Sequence, residues 1–565
     1  MYLGPLLRWL PLLLVPGSQQ PLHTVDNSTA PFVFNSVSSL LKQWPNTHHP
    51  NGHTVIPGTL EPFTLLYHAR KDANVPPPSP EWLAFDPEMS HGIMARRAGP
   101  TYLLTYRTVR PVRVVYFDGM SAALSETGWL DSQEVLLNAR NGIPGKYPPN
   151  SEGPRARGLC SWGKQFDVAG FVRMNSGFEL LWCDFGSSAI QLVSHINITS
   201  PGSLPRSPRR GPGGGVSPLG AAAGFEWLRA VSQRSMTPQA HIQLDYASFV
   251  TFYHPRLRSL ALSRENQTMH QHRLWPTISD TDAKSVLDEL ENVLRRPHWR
   301  KSGSGMDWAG LLRDITEEWA GRIAQLNEVL GNISTALNER AEVNITETLL
   351  SVRRLTYSPL NPYLDIGTPP NSSAWDWIYA APVDNGLYGH FSHHPFPSHP
   401  VANVNSSALR RCMYSATGFL NDPHIHKTPQ EVLLQNSIET VMQRLCTDYG
   451  AIFAQSMDAS DHIAEYDLAE LVKNWGTRIS LLIEWLDWSD WLGCDVLCPR
   501  DSVCVMPMWP FDWFGRRPFG GEADGDQHSL PASWRPQCVS INPELPSDPR
   551  LPHFLEEVFE ARDMN

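Results

Sequence analysis

Three groups of residues in this sequence are of types that could do chemistry. The first centres on His68, which ends an apolar run in TLLYHARKDANVPPPSPEWLAFDPE (residues 64–88) and is followed, across a proline-rich loop, by Trp82 and Phe85. An imidazole placed there can hydrogen-bond a ligand or move a proton, provided that a second polar group shares its cleft. The second group is the carboxylates Asp118, Asp131, Glu134, Glu179 and Asp184. Two of these could act as acid and base on a glycosidic bond, but spacing along the chain singles out no pair. The third is His390, His393, His394 and His399 in YGHFSHHPFPSH. Clustered imidazoles can bind a transition metal, yet the prolines and the lack of a carboxylate at ligand spacing favour an exposed loop, and no metal is expected. Neither HExxH nor GxSxG occurs, so zinc-protease and lipase readings lose their usual support.

The elements that must position these residues change character along the chain. From about residue 55 to 200, FTLLY (63–67), EWLAF (81–85), TYLLTYR (101–107), VRVVYF (112–117), GFVRM (170–174), FELLWCDF (178–185) and IQLVSHI (190–196) are short aromatic and β-branched runs separated by Gly and Pro. A short helix carrying Val37, Leu40, Leu41 and Trp44 precedes them. Residues 201–224 are rich in Pro, Gly and Ser and read as a linker. Beyond it the apolar period becomes helical: Val286 to Leu294, Trp308 to Leu326, Leu434 to Tyr449 and Leu468 to Leu482. At 565 residues the chain exceeds the roughly 250–300 that one core usually serves. The reading is therefore α+β: a mixed-sheet domain over 30–200, a mainly helical domain over 225–490 and a Cys- and Trp-rich tail over 491–565.

The first 17 residues, MYLGPLLRWLPLLLVPG, read as a signal peptide, broken by prolines and too short for a membrane span of roughly 20 residues. Sequons follow at Asn27, Asn197, Asn266, Asn332, Asn344, Asn371 and Asn405. The eight cysteines are an even count, which behind a signal peptide favours disulfides over metal. Cys160 with Cys183, Cys412 with Cys446, and Cys494, Cys498, Cys504 and Cys538 among themselves are the expected pairings. The expected localisation is extracellular, with no stable transmembrane anchor. A net charge of −11 argues against nucleic acid as a ligand. The partner expected is an unknown protein or small molecule.

Within residues 55–200, Leu66-Tyr67-His68, Glu81 to Glu88 and Phe178 to Asp184 resemble three elements of the ADP-ribosyltransferase or poly(ADP-ribose) polymerase-like fold. The resemblance implies NAD as co-substrate. It implies that Tyr67 and His68 bind the adenosine ribose side, that Trp82 or Phe85 stacks on nicotinamide, and that Glu179 stabilises the oxocarbenium-like state as nicotinamide leaves. Ala69 stands where that family carries glycine. The whole chain also resembles a group of secreted fungal proteins of no established function, through FNSVSSLLKQW, EWLAFDPE, YFDGMSA, LDSQE and FELLWCDF. Two functions follow as expectations: transfer from NAD by an ADP-ribosyltransferase-like domain, or a non-enzymatic extracellular or cell-surface interaction protein.

Overall fold

Alternation along VRVVYF divides its apolar side chains between two layers. Val114 and Tyr116 enter one core while Val115 and Phe117 enter another, and all six positions are buried. A strand so covered must lie inside a sheet packed on both faces. The computed structural model describes residues 29–95, 99–124, 128–144, 152–199, 218–264, 267, 269–297, 303–364, 378, 408–462, 466–506, 508 and 535–540.

Among the described residues, ten strands form the main sheet. They are β1 (Thr54–Leu60), β2 (Leu65–Arg70), β3 (Glu81–Ala84), β4 (Tyr102–Thr108), β5 (Val112–Phe117), β6 (Val168–Met174), β7 (Phe178–Trp182), β8 (Ile190–Asn197), β9 (Ile242–Leu244) and β10 (Val250–Thr251). Their order is β10-β1-β5-β6-β7-β3-β2-β4-β8, with β9 also on β1. The ladders are antiparallel except β5 with β6. A parallel pair needs a crossover, and helices at Asp131–Asn138 and Glu152–Gly163 supply it.

Those crossover helices and a third, Asp280–Leu294, cover one face. There Val55, Val115, Phe117, Phe171 and Leu181 meet Val135, Leu159, Val286 and Leu290. On the other face Ile56, Val114, Val172, Leu180 and Trp182 belong to a cluster continuous with Trp319, Ile438, Leu445 and Trp475 of the helical half. Two helices link the layers, α1 (Ala30–Ser39) and α2 (Gln43–His48), with Leu41 at φ 62° between them. The single short helix expected around Val37 to Trp44 is thus a broken pair. Helices at Trp308–Asn338, Pro429–Asp461 and Leu468–Leu486 lie where the 3.6-residue period places them, and a helix at Ile345–Leu360, which the sequence reading did not expect, joins them in the bundle. The start of Pro429–Asp461 follows from TPQE: Thr428 and Glu431 form a reciprocal capping box with Pro429 at the first position. A helix at Pro218–Gln233 begins inside the segment read as a linker, so only 201–217 lie outside the described residues. Its later apolar positions, Trp227, Leu228 and Val231, are buried and explain why the chain is ordered there.

All eight cysteines are paired: Cys160–Cys183, Cys412–Cys446, Cys494–Cys504 and Cys498–Cys538, with Cα separations of 5.5, 6.1, 6.0 and 5.4 Å. The first two match the expected pairs and the last four cysteines pair among themselves. Among the described residues no helix is long and apolar enough to cross a membrane.

Candidate functional site

Register decides which of the NAD-type residues can meet. Tyr67 stands opposite Ala84 and Ala84 opposite Glu179, so Tyr67 and Glu179 share one face of the sheet. Successive residues of a strand point to opposite faces. His68 therefore projects away from Glu179, and the sheet lies between them. The common cleft expected for these two residues is not formed; this corrects the expectation that they converge. Trp82, opposite Leu181, falls on the Glu179 face with Tyr67.

His68 is buried, and one ring nitrogen lies 2.7 Å from the Trp82 carbonyl. Burial, opposed in part by that hydrogen bond, holds its imidazole at about 4, so at neutral pH the ring is uncharged and donates to the carbonyl through Nδ1. The amide of Ala69 donates to Ser90 Oγ at 2.7 Å. Phe85 is buried and stacks at 6.3 Å on His241, away from the solvent-open position a nicotinamide ring would need.

Glu179 belongs to a chain of alternating charge. Arg173 reaches both Glu179, at 2.6 Å, and Glu152; Arg155 reaches Glu152 at 2.6 Å and Glu134 at 2.7 Å. Asn175 donates to the second Glu179 oxygen at 3.4 Å, Gln133 accepts from Arg173 at 3.1 Å, and Trp82 Nε1 donates to Glu152 at 3.2 Å. Both guanidinium side chains are 1% exposed. Burial alone would raise the Glu152 carboxyl, but Arg173 and Arg155 overcome it and hold the group at about 2. Burial would likewise lower Arg173, and Glu152 and Glu179 instead raise it. Such a network anchors the crossover helix to the sheet, since removing any one member strands a buried charge.

The other carboxylates singled out by sequence are also anchors. Asp118, at the end of β5, accepts the Thr54 amide at 2.7 Å, and burial pushes its carboxyl up to about 7. Asp131 accepts the amides of Leu274 and Trp275 at 3.1 and 3.0 Å, and Asp184 accepts the Gly186 amide at 2.8 Å. Glu134 and Glu179 end one buried ion chain that runs through Arg155, Glu152 and Arg173.

A polar cluster that sequence reasoning missed lies at the start of β1. Within THHPNGH, residues 47–53, His48, His49 and His53 fall in six residues, and that density was the available signal. His53 stacks on Tyr253 at 4.3 Å, His272 meets Tyr253 edge-on at 5.7 Å, and Arg264 lies over the Tyr253 ring at 4.5 Å. Burial, with Arg264 adding to it, pushes His53 well below its ordinary value and His272 to about 3. Nε2 of His53 is buried without a hydrogen-bond partner. His48 and His49 flank the Asp487 carboxylate from the other end of the chain. The backbone closes tightly here: a Cβ on Gly119, at φ 69°, would lie 2.5 Å from the Gly52 amide nitrogen and the Pro50 carbonyl oxygen. The group at His390, His393, His394 and His399 lies outside the described residues.

Residues 19–100 and 95–209 match the family model described as the YPL277C N-terminal domain. The chain is similar to uncharacterised yeast proteins. One, the uncharacterized protein YOR389W of Saccharomyces cerevisiae, is 24% identical across 92% of this chain and 88% of its own length. Another, the uncharacterized protein YPL277C of the same organism, is 30% identical across 31% of this chain and 44% of its own length. No solved structure matches. The expected grouping with uncharacterised fungal proteins is thereby met, and neither relative's description names an activity.

Proposed function

We propose that this protein is a secreted glycoprotein that acts outside the cell by binding, and that its His68 and Glu179 are parts of the scaffold and not of an NAD-transfer centre. The ladder through Tyr67, Ala84 and Glu179 supports the part of this reading that concerns His68 and Glu179. A histidine for one ribose of NAD and a carboxylate for the other must face one ligand, and here they face opposite layers. Glu179 would also have to leave Arg173, uncovering a buried guanidinium at a cost of about 3–5 kcal/mol. The extracellular part of the reading rests on the signal-like first 17 residues and on the pairing of all eight cysteines. It is further supported by the exposure of the described sequons Asn197, Asn332 and Asn344.

The second reading, ADP-ribosyl transfer from NAD, keeps one favourable observation: Tyr67, Trp82 and Glu179 share a face. It would need a site that dispenses with His68. Calorimetric titration of the purified secreted chain with NAD, paired with an assay for released nicotinamide, separates the two. The binding reading expects neither saturable heat nor nicotinamide. One NAD bound per chain, with turnover lost in Glu179→Gln and the fold retained, would overturn it.

A further inference from the structure

The Asp487 carboxylate stands between two neighbouring imidazoles. Nε2 of His48 lies 3.4 Å from one of its oxygens and Nε2 of His49 lies 3.4 Å from the other. The two rings are themselves 4.4 Å apart, centroid to centroid. One ligand atom from each of the three residues lies within 4.8 Å of the others. We propose that His48, His49 and Asp487 form a site for a divalent transition-metal ion of the zinc type, with a water completing its coordination.

The spacing leaves room for an ion among the three side chains. An N–H donor and a carboxylate oxygen settle at about 2.9–3.0 Å. Two ligand atoms on one tetrahedral zinc, each about 2.0–2.1 Å from the metal, are about 3.3–3.4 Å from each other. Both histidine–carboxylate separations are longer than the first distance, and each runs to a different oxygen, so the carboxylate turns to bring one oxygen to an ion shared with both imidazoles. Two imidazoles and one carboxylate are ligands that suit zinc and its neighbours, whereas calcium and magnesium prefer oxygen alone.

The elements behind the three ligands fix them. His48 closes α2, and His49 is the residue that caps it. Asp487 ends the helix Leu468–Leu486 in the left-handed conformation, at φ 45°. Asn35 of α1 holds that turn through the carbonyls of Leu486, at 2.6 Å, and Asp487, at 3.4 Å. Phe34 stacks on Trp488 beside it at 5.7 Å. Partners of this kind set ligand orientation in metal sites. The histidine side chains are 9% exposed and that of Asp487 is 38% exposed, so the carboxylate side is the way in from solvent.

The position gives the ion a purpose. Each disulfide joins cysteines of the sheet half, of the helical half or of the tail. An ion held by His48, His49 and Asp487 would tie α2, packed beside the sheet, to the far end of the helical half. This inference is independent of the binding reading above and stands or falls without it.

The test uses the full secreted chain, stripped with a chelator and titrated with Zn2+ by calorimetry and with Co2+ by visible absorption. The informative variant is Asp487→Asn, because asparagine tolerates the left-handed conformation and keeps the helix end. A second protein, with His390, His393, His394 and His399 all changed to alanine, controls for binding by that histidine-rich stretch. The expected result is one ion per chain for wild type and for the four-alanine variant. In Asp487→Asn, affinity should fall by at least the roughly 10–100-fold that losing even an outer partner costs. No saturable binding by the wild type would overturn the proposal, as would equal affinity in Asp487→Asn.

Discussion

Several side chains that look chemical in the sequence are held in the charge state that suits burial. Neutral His53, His68 and His272 are each pushed below 6.5, to about 4 for His68 and about 3 for His272. The unfolded chain then binds protons that the folded chain refuses, so their contribution is complete above 6.5 and is lost as pH falls through that value toward the folded ones. Glu152, held at about 2 against an ordinary 4.5, contributes in the same direction at lower pH, its share being lost as pH falls below 4.5. Asp118, raised to about 7, acts the other way: its share is present below about 4 and is lost as pH rises to 7. With His91 and His254 also lowered and Asp86 and Asp490 also raised, five histidines against three aspartates predict that the midpoint of urea unfolding falls from pH 7 to pH 4. A midpoint that rises over that interval would show that the aspartates dominate and that the histidines are not buried as neutral rings. Much of this was hidden in the sequence. The types of His68 and Glu179 were plain, but their burial and partners depend on residues such as Arg173 and Trp82 reaching them across strands.

At the scale of elements, strand and helix identity was legible and strand facing was not. VRVVYF and FELLW announce strands through β-branched and aromatic runs, and Leu468 to Leu482 announces a helix through its spacing. The strand Thr54–Leu60 is hard to read locally because Pro57 and Gly58 interrupt its pattern. Which face a side chain takes is fixed by register with a distant partner, and a slip of one residue exchanges the faces. Nothing local to Tyr67-His68 records that Tyr67 lies in line with Glu179. The edge strand β8 carries a further prediction. Among the described residues it pairs only with β4; it exposes Val193 and Ile196 and ends at the sequon residue Asn197. A glycan there would block another chain from adding to the edge. If Asn197 carries a glycan, Asn197→Gln should self-associate at concentrations where the wild type does not, as read by sedimentation velocity. Identical sedimentation of the two would remove this role from the glycan.

The whole molecule is organised around a sheet with two separate cores, and the functional reading follows from that layering. One core belongs to the crossover helices and Asp280–Leu294, the other continues into the helical bundle, and the sheet keeps them apart. Composition and period placed most strands before the long helices, but β9 and β10 fall within the segment read as helical, and the sharing of one core by the sheet and the bundle is a long-range fact that no window of sequence contains. His68 works for the second core and Glu179 for the ion chain beside the first. Residues separated in this way act independently on stability, whereas residues converging on one cleft are coupled. A double-mutant cycle of His68→Ala and Glu179→Gln, followed by urea unfolding with and without NAD, is the most direct measurement of the claim. Each change should destabilise, the two losses should add to within about 0.5 kcal/mol, and NAD should leave every midpoint unchanged. A coupling of about 1 kcal/mol or more, together with stabilisation by NAD that only the wild type shows, would contradict the account.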